Sequence, residues 1–164
     1  MPVVLVTGMS GTGTTSVLDE LATRGYRTVD TDYDGWQVPS ADGSELVFDA
    51  ERMRALFAEP GTAPVFLAGC VSNQGEFPFD AVVLLAAPEA VILRRVEERT
   101  NNSYGSTPED RAEISRNLRD VEPLLRRTCD IELDATRSIS DLADDVEAMG
   151  LRDASGEAGR SSGS

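Results

Sequence analysis

No lysine and no histidine occur in the 164 residues of this chain: all 15 basic residues are arginine, set against 29 acidic ones for a net charge of −14. Without lysine there is no Schiff-base or amine-nucleophile chemistry, and without histidine no imidazole base or metal ligand. Acid–base work therefore falls mainly to carboxylates. Cysteine is scarce as well. Cys70 and Cys129 are far apart and in no CxxC pattern, which excludes a disulfide framework and suggests two buried apolar thiols in a reducing compartment. No apolar run approaches membrane-spanning length and no secretory signal is visible, so the expected location is cytoplasmic, away from the membrane. The arginines are scattered through an acidic chain, which argues against nucleic acid as a partner. A local arginine pocket for one small phosphorylated ligand stays open.

What is present is most informative near the start. Val3, Val4, Leu5 and Val6 form an unbroken, mostly β-branched run, as a parallel strand covered on both faces requires. Gly8-Met9-Ser10-Gly11-Thr12-Gly13-Thr14-Thr15 follows, and it fits the phosphate-loop pattern GxxxxGK[ST] at every fixed position except the lysine, where Thr14 stands. Val17, Leu18, Leu21 and Ala22 then recur at helical spacing, and Gly25 marks the helix end. In such a loop the glycines let backbone amides from Gly8 to Ser16 converge on phosphate oxygens at a helix N-terminus, and Thr15 offers a hydroxyl to Mg2+. Thr14 cannot act as the usual point cation on the β- and γ-phosphates.

Strand and helix signals alternate along the rest of the chain. Strands are expected at 26–30, 64–68, 79–85 and 131–133. Helices are expected around 51–58, 89–100, from Thr107 to a stop or kink at Pro123, and 138–149. Asp30, Asp32 and nearby Asp34 follow the second strand, where alternating carboxylates on extended backbone point the same way. Ligands of open α/β sheets bind at that edge. Trp36 stands close by as a possible stacking surface for a ring, or as a core or rim anchor. Residues 151–164 are Gly- and Ser-rich and are expected to form a disordered tail after a single domain spanning 1–150.

Over roughly residues 1–149 this layout resembles the small P-loop kinases of the shikimate kinase, gluconate kinase and adenylate kinase group. It is still more similar to small ATP-binding proteins of AAA type, in the runs Val6-Thr7-Gly8-Met9-Ser10-Gly11, Val29-Asp30-Thr31-Asp32, Ala68-Gly69-Cys70 and Asn73-Gln74-Gly75. The resemblance implies an α/β, three-layer P-loop NTPase fold, with a five-stranded parallel sheet in order 2-3-1-4-5 and helices on both faces. It implies Asp30 as support for the Mg2+ water shell and Asp32 as the group that grips or deprotonates a substrate hydroxyl.

By the same resemblance, a small lid around 100–108 delivers arginine to the transferring phosphate. Arg95, Arg99 and Arg111 flank it, Arg99 and Arg111 being the catalytic candidates. Arg137 falls where related kinases hold adenine. Gly69 and Asn73 lie after the third strand, on the substrate side. Only Gly69 stands where shikimate kinases carry three glycines in a row, so shikimate is not the expected acceptor; adenylate kinase activity is not expected either, since no second arginine set is present.

Two functions stay open. One is an ATP- or GTP-dependent phosphotransferase acting on a hydroxyl of a small molecule with Mg2+, as monomer or homodimer. The other is a nucleotide-binding sensor or pseudokinase with weak transfer or none.

Overall fold

The computed structural model describes residues 1–98 and 107–162, with side-chain surroundings up to Leu151. The expected lid therefore falls almost wholly outside the described residues, and Arg99 with it. Five strands, β1 (Val3–Gly8), β2 (Arg27–Asp30), β5 (Val65–Ala68), β6 (Ala81–Ala86) and β7 (Ile131–Asp134), form one parallel sheet in the order β2-β5-β1-β6-β7. Counted among themselves these strands run 2-3-1-4-5, the order the resemblance implies. β1 is central because it is apolar on both faces: Val3, Val4, Leu5 and Val6 are all fully buried.

Helices cover both faces. α1 (Thr14–Thr23) and α6 (Ile139–Ser162) pack Val17, Leu18, Leu21, Leu142 and Val146 against Val4, Val6 and Phe66. Ala22, read from its spacing as part of that stripe, is exposed. Arg24 ties the two helices together, donating to Glu20 at 3.2 Å and to Asp144 at 2.7 Å. Gly25 ends α1 as expected: its amide reaches the Ala22 carbonyl at 3.0 Å and that of Tyr26 the Leu21 carbonyl at 3.1 Å.

On the opposite face, α2 (Ala50–Ala58) buries Met53 and Leu56 against Val3, Leu5 and Leu67, with Phe48, Phe57, Phe77 and Phe79 in mutual ring contact. Asp49 caps α2 by accepting from the amides of Glu51 and Arg52.

α3 (Glu89–Glu98), α4 (Pro108–Asp120) and α5 (Glu122–Thr128) complete the molecule beyond β6. Thr107 caps α4 as its sequence suggests, its hydroxyl accepting from the Asp110 amide at 3.1 Å. Pro123 lies inside α5, one residue after the start, so the break falls at Val121 and not at the proline.

Two features depart from the sequence expectation. A two-stranded antiparallel hairpin, β3 (Gln37–Pro39) and β4 (Leu46–Phe48), lies between the second expected strand and the helix expected at 51–58, where no strand is expected; its strands are too short, and one too proline-bounded, to show a period of two. α6 continues to Ser162, beyond the expected stop at Met149 and through most of 151–164, the segment assigned to a disordered tail.

Candidate active site

The parallel register carries the site. Asp30 pairs with Ala68, and Ala68 pairs with Val6, so the C-terminal ends of β2, β5 and β1 align and their loops open on one edge. A cavity of about 300 Å³ lies there. Its floor is the loop from Gly8 to Ser16 without Thr12, its side walls are Asp30 and Asp32 on one hand and Ala68, Gly69 and Cys70 on the other, and Asn117 from α4 closes it.

The loop is shaped by its own hydrogen bonds. Thr12 is buried, and its hydroxyl and amide both donate to the Met9 carbonyl, at 2.8 and 3.2 Å. Thr12 therefore holds the loop's curve and does not face the cavity, unlike its expected role in binding phosphate directly. Gly13 takes a left-handed conformation, φ 95°, as the residue preceding α1. Val17 is the first residue whose amide bonds back into the helix, to the Gly13 carbonyl at 3.0 Å. The amides of Thr14, Thr15 and Ser16 precede it and have no carbonyl one turn back to meet, so they are the helix-end donors available to an anion.

Thr15 and Asp30 meet directly: the Thr15 hydroxyl donates to Asp30 Oδ2 at 3.0 Å. Asp30 Oδ1 also accepts from the Asp32 amide at 3.2 Å, which fixes the turn between the two carboxylates. Asp32 is oriented by Gln37 of the hairpin, whose side-chain amide donates to Asp32 Oδ1 at 3.1 Å and to Thr31 Oγ1 at 3.1 Å. Thr31 is buried and donates its hydroxyl to the Ala68 carbonyl at 2.7 Å, anchoring the segment to β5. Desolvation, reinforced by the neighbouring Asp30 charge, pushes the Asp32 carboxyl above the usual carboxylate range, and the Gln37 hydrogen bond pulls the other way. A carboxylate raised in this manner is a better proton acceptor at neutral pH than a free one.

The remaining expected residues divide sharply. Ser10, Gly8, Gly11 and Gly69 lie on the cavity wall. Gly69 is there for a packing reason: a Cβ would stand 2.4 Å from Thr31 Oγ1 and 2.9 Å from the Phe48 ring.

Asp34, Trp36, Asn73 and Arg137 are not on the wall. The Asp34 backbone carbonyl accepts from Arg52 of α2, whose guanidinium lies 4.2 Å over the Trp36 ring. Asn73 brackets the Phe48 backbone, accepting from its amide at 2.9 Å and donating to its carbonyl at 3.2 Å. Arg137 pairs with Asp145 at 2.6 Å.

Arg111 donates to Glu97 at 2.9 Å on the surface. Arg95 turns inward instead, donating to the Gly11 carbonyl at 3.3 Å and the Ala135 carbonyl at 2.8 Å; it braces the phosphate loop from behind. Among the described residues, no arginine lines the cavity.

Asn117, Cys70, Met9 and Gln37 were not singled out as site residues by sequence. Asn117 has no local signal, being one polar residue on a polar helix. Cys70, expected to be buried, is exposed on the wall, with its thiol pKa pushed up by the surrounding protein and by the charge of Asp32.

Comparison with known proteins places the chain in a family and a fold. The profile of the AAA domain family matches residues 4–116, and the chain belongs to that family. Its three-dimensional fold is that of the small P-loop kinases. Shikimate kinase from Acinetobacter baumannii, solved with shikimate, is similar with a TM-score of 0.67 at 21% identity, over 93% of this chain and 94% of that one. A gluconokinase from Sinorhizobium meliloti 1021 gives 0.64 at 18% identity, over 98% and 97%. An unliganded sugar kinase from Janibacter sp. HTCC2649 gives 0.58 at 18% identity, over 93% and 95%. No curated protein matches the sequence significantly. Among the described residues no helix is long and apolar enough to cross a membrane.

Proposed function

We propose that the chain is a phosphotransferase that moves the γ-phosphoryl group of ATP or GTP to a hydroxyl of a small molecule. The observation that carries this reading is the triplet at one sheet edge: Thr15 bonded to Asp30, with Asp32 oriented beside them and raised in pKa. A bare phosphate-binding turn needs none of the three.

The chemistry assigned to each group follows from its position. Amides of Thr14, Thr15 and Ser16 bind phosphate oxygens at the start of α1. Thr15 and Asp30 are the groups that would hold Mg2+ and its water shell. The fit is that of magnesium, which takes one or two protein ligands plus water and phosphate; no group of three or more carboxylates or thiols able to hold an ion by themselves occurs among the described residues. Bound there, the ion would neutralise charge developing on the β- and γ-phosphates.

Asp32 receives the proton of the acceptor hydroxyl as its oxygen bonds to the γ-phosphorus. The bond from that phosphorus to the β,γ-bridging oxygen breaks, and the nucleoside diphosphate leaves. Arg99 and Arg111 remain the proposed clamps on the transferring group.

A second reading is favoured by one specific observation. Thr14 stands in the lysine position and no described cation lines the cavity, which suits a nucleotide sensor that binds without transferring. Losing an electrostatic donor of this kind costs on the order of 2.7–4 kcal/mol in rate, which slows transfer without forbidding it. Incubation with γ-labelled nucleotide and a metabolite pool separates the two: label in a new product supports transfer, while saturable nucleotide binding with no labelled product supports the sensor.

A further inference from the structure

A second hollow, of about 700 Å³, opens beside the phosphate-loop cavity and shares Met9, Cys70 and Asn117 with it. It runs between the β3–β4 hairpin, the loop after β5, and α5. Leu46 lies on one wall, Val71 between, and Leu124 and Leu125 on the other. Leu46 and Leu124 are each 55% exposed. A single exposed leucine needs no explanation, but two on opposite sides of one hollow form an unfilled apolar site. Its size is that of a small-molecule pocket.

The hollow reaches the chemistry. Gln37 lines the hollow and donates to Asp32 Oδ1 at 3.1 Å, so the hollow abuts the group that orients Asp32, while Asp32 itself lines the adjoining cavity. Its charge is equally specific. Among the described residues its lining carries one charged group, Glu45, and no arginine, while Asp30 and Asp32 line the adjoining cavity. An anionic acceptor would meet carboxylates there with no guanidinium to pair with.

We propose that this hollow takes an apolar, non-anionic alcohol: a hydroxyl on a hydrocarbon or aromatic body, the body held between Leu46 and Leu124 and the hydroxyl at Asp32. The assignment rests on the phosphotransferase reading and names its acceptor class. It sets this chain apart from a kinase for a sugar acid, because a carboxylate is what the lining lacks the means to hold.

The test uses the full chain with 3-phenylpropanol and geraniol on one side, shikimate and gluconate on the other. Saturation-transfer NMR and calorimetry are run with and without Mg2+ and a non-hydrolysable ATP analogue. The expected result is saturable binding of the alcohols only, weakened at least tenfold by Leu124→Asp and by Leu46→Asp with nucleotide affinity unchanged. Both positions are exposed, so the variants should fold.

Binding of shikimate or gluconate as tightly as the alcohols overturns the proposal. So does failure of both alcohols to bind, or indifference of alcohol binding to both substitutions. A dimer in sedimentation that Leu124→Asp dissociates overturns it too, since a second copy would then fill the hollow. Label passing from ATP to gluconate defeats the acceptor class and leaves the transfer reading standing. Alcohol binding in a protein that binds no nucleotide supports the chemistry of the hollow and defeats the transfer reading.

Discussion

Thr15 stands at the start of α1 and Asp30 at the end of β2, and the hydroxyl of the first donates to the carboxylate of the second at 3.0 Å. The bond couples the start of α1 to the end of β2 and sets a hydroxyl beside a carboxylate, the pair proposed to hold magnesium. Thr15→Ala is expected to reduce magnesium-dependent nucleotide affinity about 10- to 100-fold, the range typical of groups supporting a metal site. Thr15→Ser should restore most of it. Calorimetry with and without Mg2+ measures both, and equal losses in the two conditions would remove Thr15 from the metal.

Thr14 offers a direct test of the loop. Thr14→Lys restores the missing ammonium, and a hydrogen bond to a charged group contributes about 1.5–3 kcal/mol. Nucleotide affinity should rise about tenfold or more, read as a lower dissociation constant. Unchanged affinity would show that the loop does not hold phosphate.

Asp32 predicts opposite effects on rate and stability. Its carboxyl pKa is raised in the folded chain, so transfer should decline as pH falls through that raised value and the base becomes protonated. Stability moves the other way. The ionised form is disfavoured by folding, so its cost is present above the folded pKa and disappears below the unfolded carboxylate value of about 3.9. Asp32→Asn should therefore abolish transfer while raising the melting temperature at pH 7. A lowered melting temperature would mean that the carboxylate is stabilised in place.

Arg95 braces the phosphate loop through two carbonyls, Gly11 and Ala135. Arg95→Ala leaves both short of a donor, with an expected loss of about 1–3 kcal/mol in stability and a parallel loss of nucleotide affinity. Arg95→Lys should recover only part, since an ammonium cannot span both carbonyls as a planar fork does. Thermal unfolding and nucleotide titration read the two effects separately; full recovery by lysine would reduce Arg95 to a simple charge.

Asp42 organises the hairpin turn, its Oδ1 accepting from the Ser44 hydroxyl and amide and from the Ser40 hydroxyl, which lowers its pKa to about 2. A depressed carboxylate stabilises the fold above its unfolded pKa and loses that contribution as pH falls through the folded one. Asp42→Ala should lower the melting temperature at pH 7, and the difference from the parent should shrink between about pH 4 and pH 2. A difference independent of pH would place the effect in the turn's backbone.

Local pattern made much of this protein readable. The run Val3–Val6 could only be a strand buried on both faces, Gly25 only a helix stop, and Thr107-Pro108 only a helix start, because each depends on residues a few positions apart. Thr15 and Asp30, singled out as positions in short motifs, do meet in space, though 15 residues apart. The hairpin was not readable, since three-residue strands carry no period. For Asn73 and Trp36 the sequence left the choice open, because a polar or aromatic side chain near a strand end looks the same whether it faces a ligand or packs on the Phe48 backbone and Arg52.

By itself, then, the order of residues settled the absence of lysine and histidine chemistry, the phosphate loop with its threonine substitution, and the alternation of strand and helix that builds a parallel sheet. Tertiary structure decided which groups share a cavity. It aimed Arg95 at the back of the loop and brought Asn117 in from α4. It put Gln37 onto Asp32 and opened a leucine-lined hollow with no described arginine beside the carboxylates. Those outcomes depend on strand register and on helices meeting across long stretches of chain, and no neighbouring residues encode them.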